Sequence, residues 1–262
     1  MKTVFFTILS DDYKDTIIDF QGFYKSFKHF HPDIDMVVFD TKNIKKLFSK
    51  KRWLNFMNSK PSFAKLLYND YDLVVNVDAD FYFFDRCEEI LKANYEIAAC
   101  ANFNIVVNTD IKHQIIKNIL IHHVSSIDFI QGGLVASTSK QFWDDYEDLN
   151  KKIAHKLPHA ENDVLNQIWY SGKYKTCVLD GHVDFRNPEF KAYYNCAGLG
   201  RELQYTLMNN KITLDNKPVR SYHVALGSHD RNRNLVRKRR FENTFNTEIV
   251  EWFNRNVMKN EI

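Results

Sequence analysis

The sequence predicts an α/β fold: a mostly parallel sheet with helices on its faces. Three observations carry that prediction. The chain opens on a strand–helix–strand pattern. A mostly apolar run, Val74-Val75-Asn76-Val77, ends in Asp78-Ala79-Asp80. Strands and amphipathic helices then follow one another with no repeat, low-complexity segment or linker. One domain over residues 1–262 is the economical division.

Residues 2–9 (KTVFFTIL) read as the first strand. Ser10-Asp11-Asp12 supplies turn and helix-capping chemistry. The helix after it carries Tyr13, Ile17, Phe20, Tyr24 and Phe27 at intervals of three and four, until His31-Pro32-Asp33 breaks it. Asp35 to Asp40 is the second strand. Such a unit implies a parallel pair and a right-handed crossover. Residues 42–58 are basic and aromatic without clear boundaries, and Ser62 to Asn69 reads as a helix presenting Phe63, Leu66 and Leu67.

The run ending at Asp80 is rich in β-branched residues and reads as a strand buried on both faces. A second apolar segment, Phe81 to Phe84, follows, then a helix near 86–94 and a strand at Glu96 to Ala101. A helix over 111–124 is expected in an insertion. Phe129 to Ala136 is a strand containing Gly132-Gly133. Helices are expected at Lys140 to Ala154 and Asn162 to Tyr170, and strands at Lys175 to Leu179 and Ser221 to Val224. A last amphipathic helix over about 240–257 places Phe241, Phe245, Ile249, Phe253 and Val257 on one stripe.

A hydrophobic fraction of 44% and a charged fraction of 26% exclude a disordered chain. The opening MKTVFFTILSDDYKD is too short in its apolar core for a signal peptide and lacks a small-x-small cleavage site. No apolar run reaches membrane-spanning length. Cys87, Cys100, Cys177 and Cys196 form no CxxC pair, so neither a zinc site nor a disulfide framework is expected, and a reducing, cytoplasmic location follows. The net charge is only +3, but Arg231, Arg233, Arg237, Lys238, Arg239 and Arg240 cluster. They form either a solvated helix start or an anion patch for pyrophosphate, for lipid headgroups in peripheral membrane contact, or for nucleic acid.

Side chains at i and i+2 on a strand point the same way, so Asp78 and Asp80 are expected to converge at the strand's carboxyl end. Two carboxylates there are costly without a cation. A hard divalent ion such as Mg²⁺ or Mn²⁺ would fit, bridging diphosphate oxygens as a Lewis acid. The alternative is a pair of turn aspartates. His223 ends a short strand and precedes a basic, Gly227-containing loop. It is either structural or a third ligand, and an imidazole shifts the expectation toward Mn²⁺.

Gln131-Gly132-Gly133 is either a bulge or close-packing site, or bare backbone that a sugar ring approaches. Glu161-Asn162-Asp163 is either an acidic helix start or a carboxylate and an amide beside sugar hydroxyls. Tyr13 is a helix core position or a nucleobase platform. Lys65 is solvated or a phosphate ligand.

Taken in order, these segments resemble the GT-A glycosyltransferases, most closely the retaining galactosyl- and glucosyltransferases of family 8, from the first strand to about residue 237. Ser10-Asp11-Asp12-Tyr13 looks like that family's base-holding turn. Phe63-Ala64-Lys65-Leu66 sits where the family has a basic donor-contacting residue. Asp78-Ala79-Asp80 matches its metal-binding DxD. Ile130-Gln131-Gly132-Gly133 is similar to its Phe-Asn-Ala-Gly segment, and Glu161-Asn162-Asp163-Val164-Leu165-Asn166 to its Asp-Gln-Asp-x-Leu-Asn motif. His223 to Gly227 resembles its His-x-x-Gly loop.

The departures are Gln131 for Asn, Glu161-Asn162 for Asp-Gln, a His-to-Gly spacing one residue longer, and no Lys-Pro-Trp after it. Arg231 or Arg233 is the expected replacement for that lysine, with different geometry.

The resemblance implies a GT-A fold, a Rossmann-like mixed, mostly parallel sheet flanked by helices. It implies a Mn²⁺- or Mg²⁺-dependent hexosyltransferase using a nucleotide sugar, UDP-linked. Asp78, Asp80 and His223 would hold the metal. Asp12 and Tyr13 would hold the nucleoside, Lys65 and Arg231 would add positive charge, and Gln131, Gly132, Gly133 and Asp163 would cradle the sugar. Asn162 would lie beneath the anomeric carbon, giving retention. The acceptor is open: glycan, lipid, protein or, least favoured, nucleic acid. Alternatives are an inverting transferase with Asp163 or Glu161 as base, a nucleotidyltransferase, and a non-catalytic carbohydrate- or nucleic-acid-binding module. Ser10-Asp11-Asp12-Tyr13 argues against the nucleotidyltransferase, which would carry a Gly-rich basic loop there.

Overall fold

Strand β1 (Thr3–Leu9) pairs in parallel with β2 (Asp35–Asp40) on one side and β3 (Leu73–Val77) on the other, so that Phe5 faces Met36 and Val75 in register. The structure is a computed structural model describing residues 1–9, 17–40, 59–102, 129–157, 160–179, 185–186, 205–214, 216–224, 241–242 and 245–259. Beyond β3 come β6 (Phe129–Ser137), β5 (Ile97–Asn102) and β7 (Thr176–Leu179), giving the order β2-β1-β3-β6-β5-β7. Only β6 runs against the other described strands of this sheet, antiparallel to both β3 and β5. The sheet is mixed and mostly parallel, as expected.

Alternation along β1 and β3 divides the core. Val4, Phe6, Ile8 and Val74 face a cluster with Trp143, Tyr146 and Leu165, while Phe5, Val75 and Val77 face one with Phe23 and Phe27. Burial on both faces is why these strands read as unbroken apolar runs. Helix α1 (Ile17–Phe30) covers the second face. Short α2 (Lys60–Lys65) and α3 (Glu88–Leu91) follow in the chain, then α4 (Lys140–Ile153) and α5 (Glu161–Trp169), which cover the first face.

A small sheet stands beyond the end of β3. There β4 (Phe81–Phe83) pairs antiparallel with β12 (Ser221–His223), which pairs in parallel with β8 (Phe185–Arg186). A three-stranded meander, β9 (Tyr205–Met208), β10 (Lys211–Leu214) and β11 (Lys217–Pro218), joins it through a third core in which Tyr82, Phe84 and Tyr222 meet Phe241, Phe245 and Phe253.

Four expectations change. Asp78 and Asp80 do not lie on one strand: β3 ends at Val77, and residues 78–80 form the turn into β4. The helix expected from Ser62 begins two residues earlier, with Pro61 in its first turn, and ends at Lys65. The helix near 86–94 shrinks to the single turn Glu88–Leu91. The last helix is not continuous. Asn246 is extended (φ −67°, ψ 164°), and its Oδ1 accepts from Ile249 N at 3.0 Å, so α6 (Thr247–Phe253) starts afresh and runs into a π turn at Asn254–Met258. The readings of Ser10 to Thr16, of 42–58, of the 111–124 helix and of Arg231 to Arg240 lie outside the described residues.

Candidate active site

The site forms where β3 stops. Asp78 N donates to Gly133 O at 2.8 Å, which ties the turn to β6. Lys60, the first residue of α2, reaches in from the side: its Nζ lies 2.9 Å from Asp78 Oδ1, donates to Gly132 O at 2.9 Å and is 3.9 Å from Glu161 Oε1. Lys60 is only 4% exposed. Burial opposes its charge, but the pull of Asp78, Glu161 and Asp80 outweighs burial and holds the ammonium above the ordinary lysine range.

Glu161 is 1% exposed, and its Oε1 accepts no hydrogen bond among the described residues. Burial pushes its carboxyl up to about 7 against the opposing pull of Lys60, with the charges of Asp78 and Asp163 adding to the rise.

Asp80 meets a different element. His223 Nε2 lies 3.2 Å from Asp80 Oδ1, and Val224 N donates to Asp80 O at 3.0 Å. Antiparallel register sets His223 opposite Phe81, and the two rings stack at 4.2 Å, which fixes the imidazole plane. One ligand atom from each of Asp78, Asp80 and His223 lies within 4.8 Å of the others. Two ligands of one ion at roughly 2.0–2.6 Å can be no more than about 4–5 Å apart, so the three fit a single divalent cation. Two carboxylates and one imidazole give such an ion a mixed oxygen and nitrogen donor set.

The far wall is β6 stitched to α5. Asn166, fully buried, donates from Nδ2 to Ile130 O (2.9 Å) and Asn162 O (2.7 Å) and accepts at Oδ1 from Ile130 N (2.8 Å). Asn162 Oδ1 accepts from Gly132 N at 2.7 Å. A Cβ at position 132 would meet that oxygen at 2.7 Å, so glycine is what permits the approach. Tyr146 OH donates to Glu161 O at 3.1 Å. Ala160, just before α5, sits at φ 47°, ψ −116°, a conformation that non-glycine residues rarely adopt. Backbone strain of this kind concentrates at functional sites.

The structure therefore brings together Asp78, Asp80 and His223; Lys60 joins Asp78 to Gly132, Asp78 N bonds Gly133 directly, and Asn162 is held on Gly132. Gln131 and Asp163 are buried beside them in β6 and in the first turn of α5. Lys65 is engaged elsewhere: its Nζ lies 2.8 Å from Asp144 and 2.9 Å from Glu147. The lysine on Asp78 is Lys60, which sequence reasoning passed over. A signal existed: a lysine directly before Pro61 at a helix start opposes the macrodipole and needs acidic partners from elsewhere. Asp12, Tyr13 and Arg231 lie outside the described residues.

No protein-family model matches the chain, and a search of curated proteins finds no match. Among solved structures the chain is similar to the WbbM bifunctional glycosyltransferase, with a TM-score of 0.56 and 12% identity, over 97% of this chain and 51% of that one. It is similar to the galactosyltransferase LgtC in complex with donor and acceptor sugar analogues (TM-score 0.51, 14% identity, 95% of this chain and 99% of that one). It is also similar to the glycosyltransferase GlyE of Streptococcus pneumoniae TIGR4 (TM-score 0.54, 12% identity, 100% of this chain and 66% of that one). The chain thus spans about half the length of the WbbM structure and just under two thirds of GlyE. The likeness shows the GT-A fold.

Proposed function

We propose that the chain is a metal-dependent glycosyltransferase that moves a hexose from a nucleotide sugar, UDP-linked, to an acceptor with retention of configuration. The observation that carries the reading is the Asp78–Asp80–His223 cluster at the carboxyl end of β3 in this fold. A divalent ion there would bind the diphosphate and offset the charge that develops on the leaving nucleoside diphosphate. Lys60 adds a fixed positive charge beside Asp78, one of the three residues of that cluster. Asp12, Tyr13 and Arg231 would hold nucleoside and pyrophosphate on the strength of the family resemblance.

Asn162 and the buried Gln131 and Asp163 would face the sugar. The Asn162 amide oxygen is already engaged by Gly132 N, so the amide nitrogen is the end that serves the ligand. An engaged oxygen is a poor nucleophile, which favours the acceptor entering on the leaving-group face. The inverting reading draws on Glu161, whose carboxyl titrates near neutrality as a general base should. At 1% exposure, however, Glu161 is poorly placed to reach an acceptor hydroxyl. A glycan, lipid or protein acceptor fits this chemistry. Among the described residues no helix is long and apolar enough to cross a membrane.

The test is turnover of UDP-glucose and UDP-galactose with Mn²⁺, followed by NMR of the transferred sugar. UDP release with an α-linked product supports the reading. A β-linked product transfers the role to an inverting base. No release of the nucleoside diphosphate from any nucleotide sugar, with or without Mn²⁺, removes the transferase reading.

A further inference from the structure

Lys60 opposes the charge of a carboxylate that the cluster offers to a cation. Its Nζ lies 2.9 Å from Asp78 Oδ1 and donates to Gly132 O at 2.9 Å, with Glu161 Oε1 3.9 Å away. Three elements thus meet at one ammonium: α2 supplies it, and β6 and α5 hold it. The Lys60 side chain is 5% exposed, whereas that of Asp78 is 33% exposed. An ion or ligand reaches Asp78 from its open side, while the walled-in ammonium keeps its place.

The local charges follow from these contacts. Asp78 and Asp80 bring two negative charges to the cluster, and His223 ligates only as the neutral imidazole. Lys60 cancels one of those charges. An ion about 2.1 Å from Asp78 stands on the order of 5 Å from the ammonium. A divalent and a monovalent cation at that separation repel enough, even at the dielectric constant of water, to weaken binding about tenfold. Without Lys60, Asp78 and Glu161 would both act on the ion unopposed.

A diphosphate reverses the balance. Its anionic oxygens attract the ion and the ammonium alike, so the two cations share one partner. Such coupling is reciprocal: the anion tightens the ion, and the ion tightens the anion by the same factor. A lysine that only offset Asp78 for folding would change stability and leave the coupling alone.

We propose that Lys60 couples the two ligands: by repelling a lone divalent ion at Asp78, it makes occupancy of the cluster conditional on a bound diphosphate. The inference rests on the reading of Asp78, Asp80 and His223 as a cation site, and it names the residue that regulates that site.

The test is Mn²⁺ binding to the full chain, followed by the EPR signal of the free ion, with and without UDP. Wild type, K60M, K60R and K151M are compared. Lys151, 62% exposed in its side chain and paired with Glu147, gives the same loss of charge on the surface. In K60M, Mn²⁺ alone should bind about tenfold tighter than in the wild type, and the factor by which UDP tightens Mn²⁺ should fall about tenfold. K60R and K151M should stay within about threefold of the wild type in both quantities, the first because its charge is kept and the second because solvent screens the change. Should K60M fail to fold, E161Q and K60M/E161Q provide the same contrast, since neither leaves a buried glutamate facing a missing lysine. Binding of Mn²⁺ alone no tighter in the variant lacking Lys60, or an unchanged UDP factor, overturns the proposal and leaves the cation site standing. An equal gain in K151M also overturns it. No Mn²⁺ uptake by the wild type even with UDP overturns the cation site itself, and the proposal with it.

Discussion

Helix α2 carries two lysines five residues apart, and each meets two carboxylates, yet the two arrangements differ in kind. Lys60 is 5% exposed in its side chain and sits between Asp78 and a Glu161 that is itself buried. Lys65 is 31% exposed and pairs with Asp144 and Glu147 on the outer face of α4. Counting ion pairs would rank them together. Burial separates them: a desolvated charge must be answered by its partners, while an exposed one is answered by water. The same contrast explains why Lys60 rather than Lys65 belongs with the carboxylate cluster.

The largest expected effect is at the buried end. K60M leaves Asp78 and Glu161 facing each other without the ammonium. It should cost about 3–5 kcal/mol in urea unfolding, because truncating one partner strands a buried charge. A loss under about 1 kcal/mol would break the comparison.

Next is a pH effect elsewhere in the buried interior. His31 is fully buried, accepts from Cys87 N at Nε2, and titrates at about 4, because burial, aided by nearby Arg86, disfavours its charged form. The folded value lies below the unfolded value of about 6.5, so the unfolded chain binds more protons between the two. The stabilisation is whole above pH 6.5 and is lost as pH falls toward 4, by up to about 3 kcal/mol. H31Q should flatten stability against pH in that window. An unchanged slope would show that His31 is not the titrating group.

G132A should cost about 1–3 kcal/mol, since the new methyl carbon meets Asn162 Oδ1 at 2.7 Å. Adding N162G should recover part of that loss in a double-mutant cycle, whereas additive costs would mean the two positions do not touch. The smallest effect is at the exposed end: K65A should cost about 1 kcal/mol or less. A cost near that of K60M would erase the distinction between the two lysines.

Local chemistry made much of this legible in advance. Val74 to Asp80 announces a buried strand ending in acids, and the intervals of α1, α4 and α5 mark their faces. His223 was readable because a glycine-containing basic loop follows it. Other features depend on contacts distant in sequence. Lys60 acquires its role from Asp78 and Glu161, 18 and 101 positions away. The break before α6 depends on Asn246 capping a helix inside an unbroken stripe of apolar residues. The β9–β10 hairpin was missed although a local signal existed. Asn209 and Asn210 both take positive φ (51° and 60°), the paired left-handed turn that joins two-residue hairpins and that asparagine tolerates. Even the aspartate pair behaves differently from its strand pattern, since a turn rather than strand alternation brings the two carboxylates together.

The central claim is that Asp78, Asp80 and His223 hold a cation that binds a nucleoside diphosphate. It is tested most directly by thermal unfolding of the wild type and D78N with UDP, with Mn²⁺, and with both. At about a hundredfold excess over the dissociation constant, a ligand adds about 2.7 kcal/mol, or roughly 5–10 °C for a chain of this size. The account predicts that shift in the wild type only when UDP and Mn²⁺ are present together, and its loss in D78N. Equal shifts with UDP alone and with UDP plus Mn²⁺, or an undiminished joint shift in D78N, would contradict it.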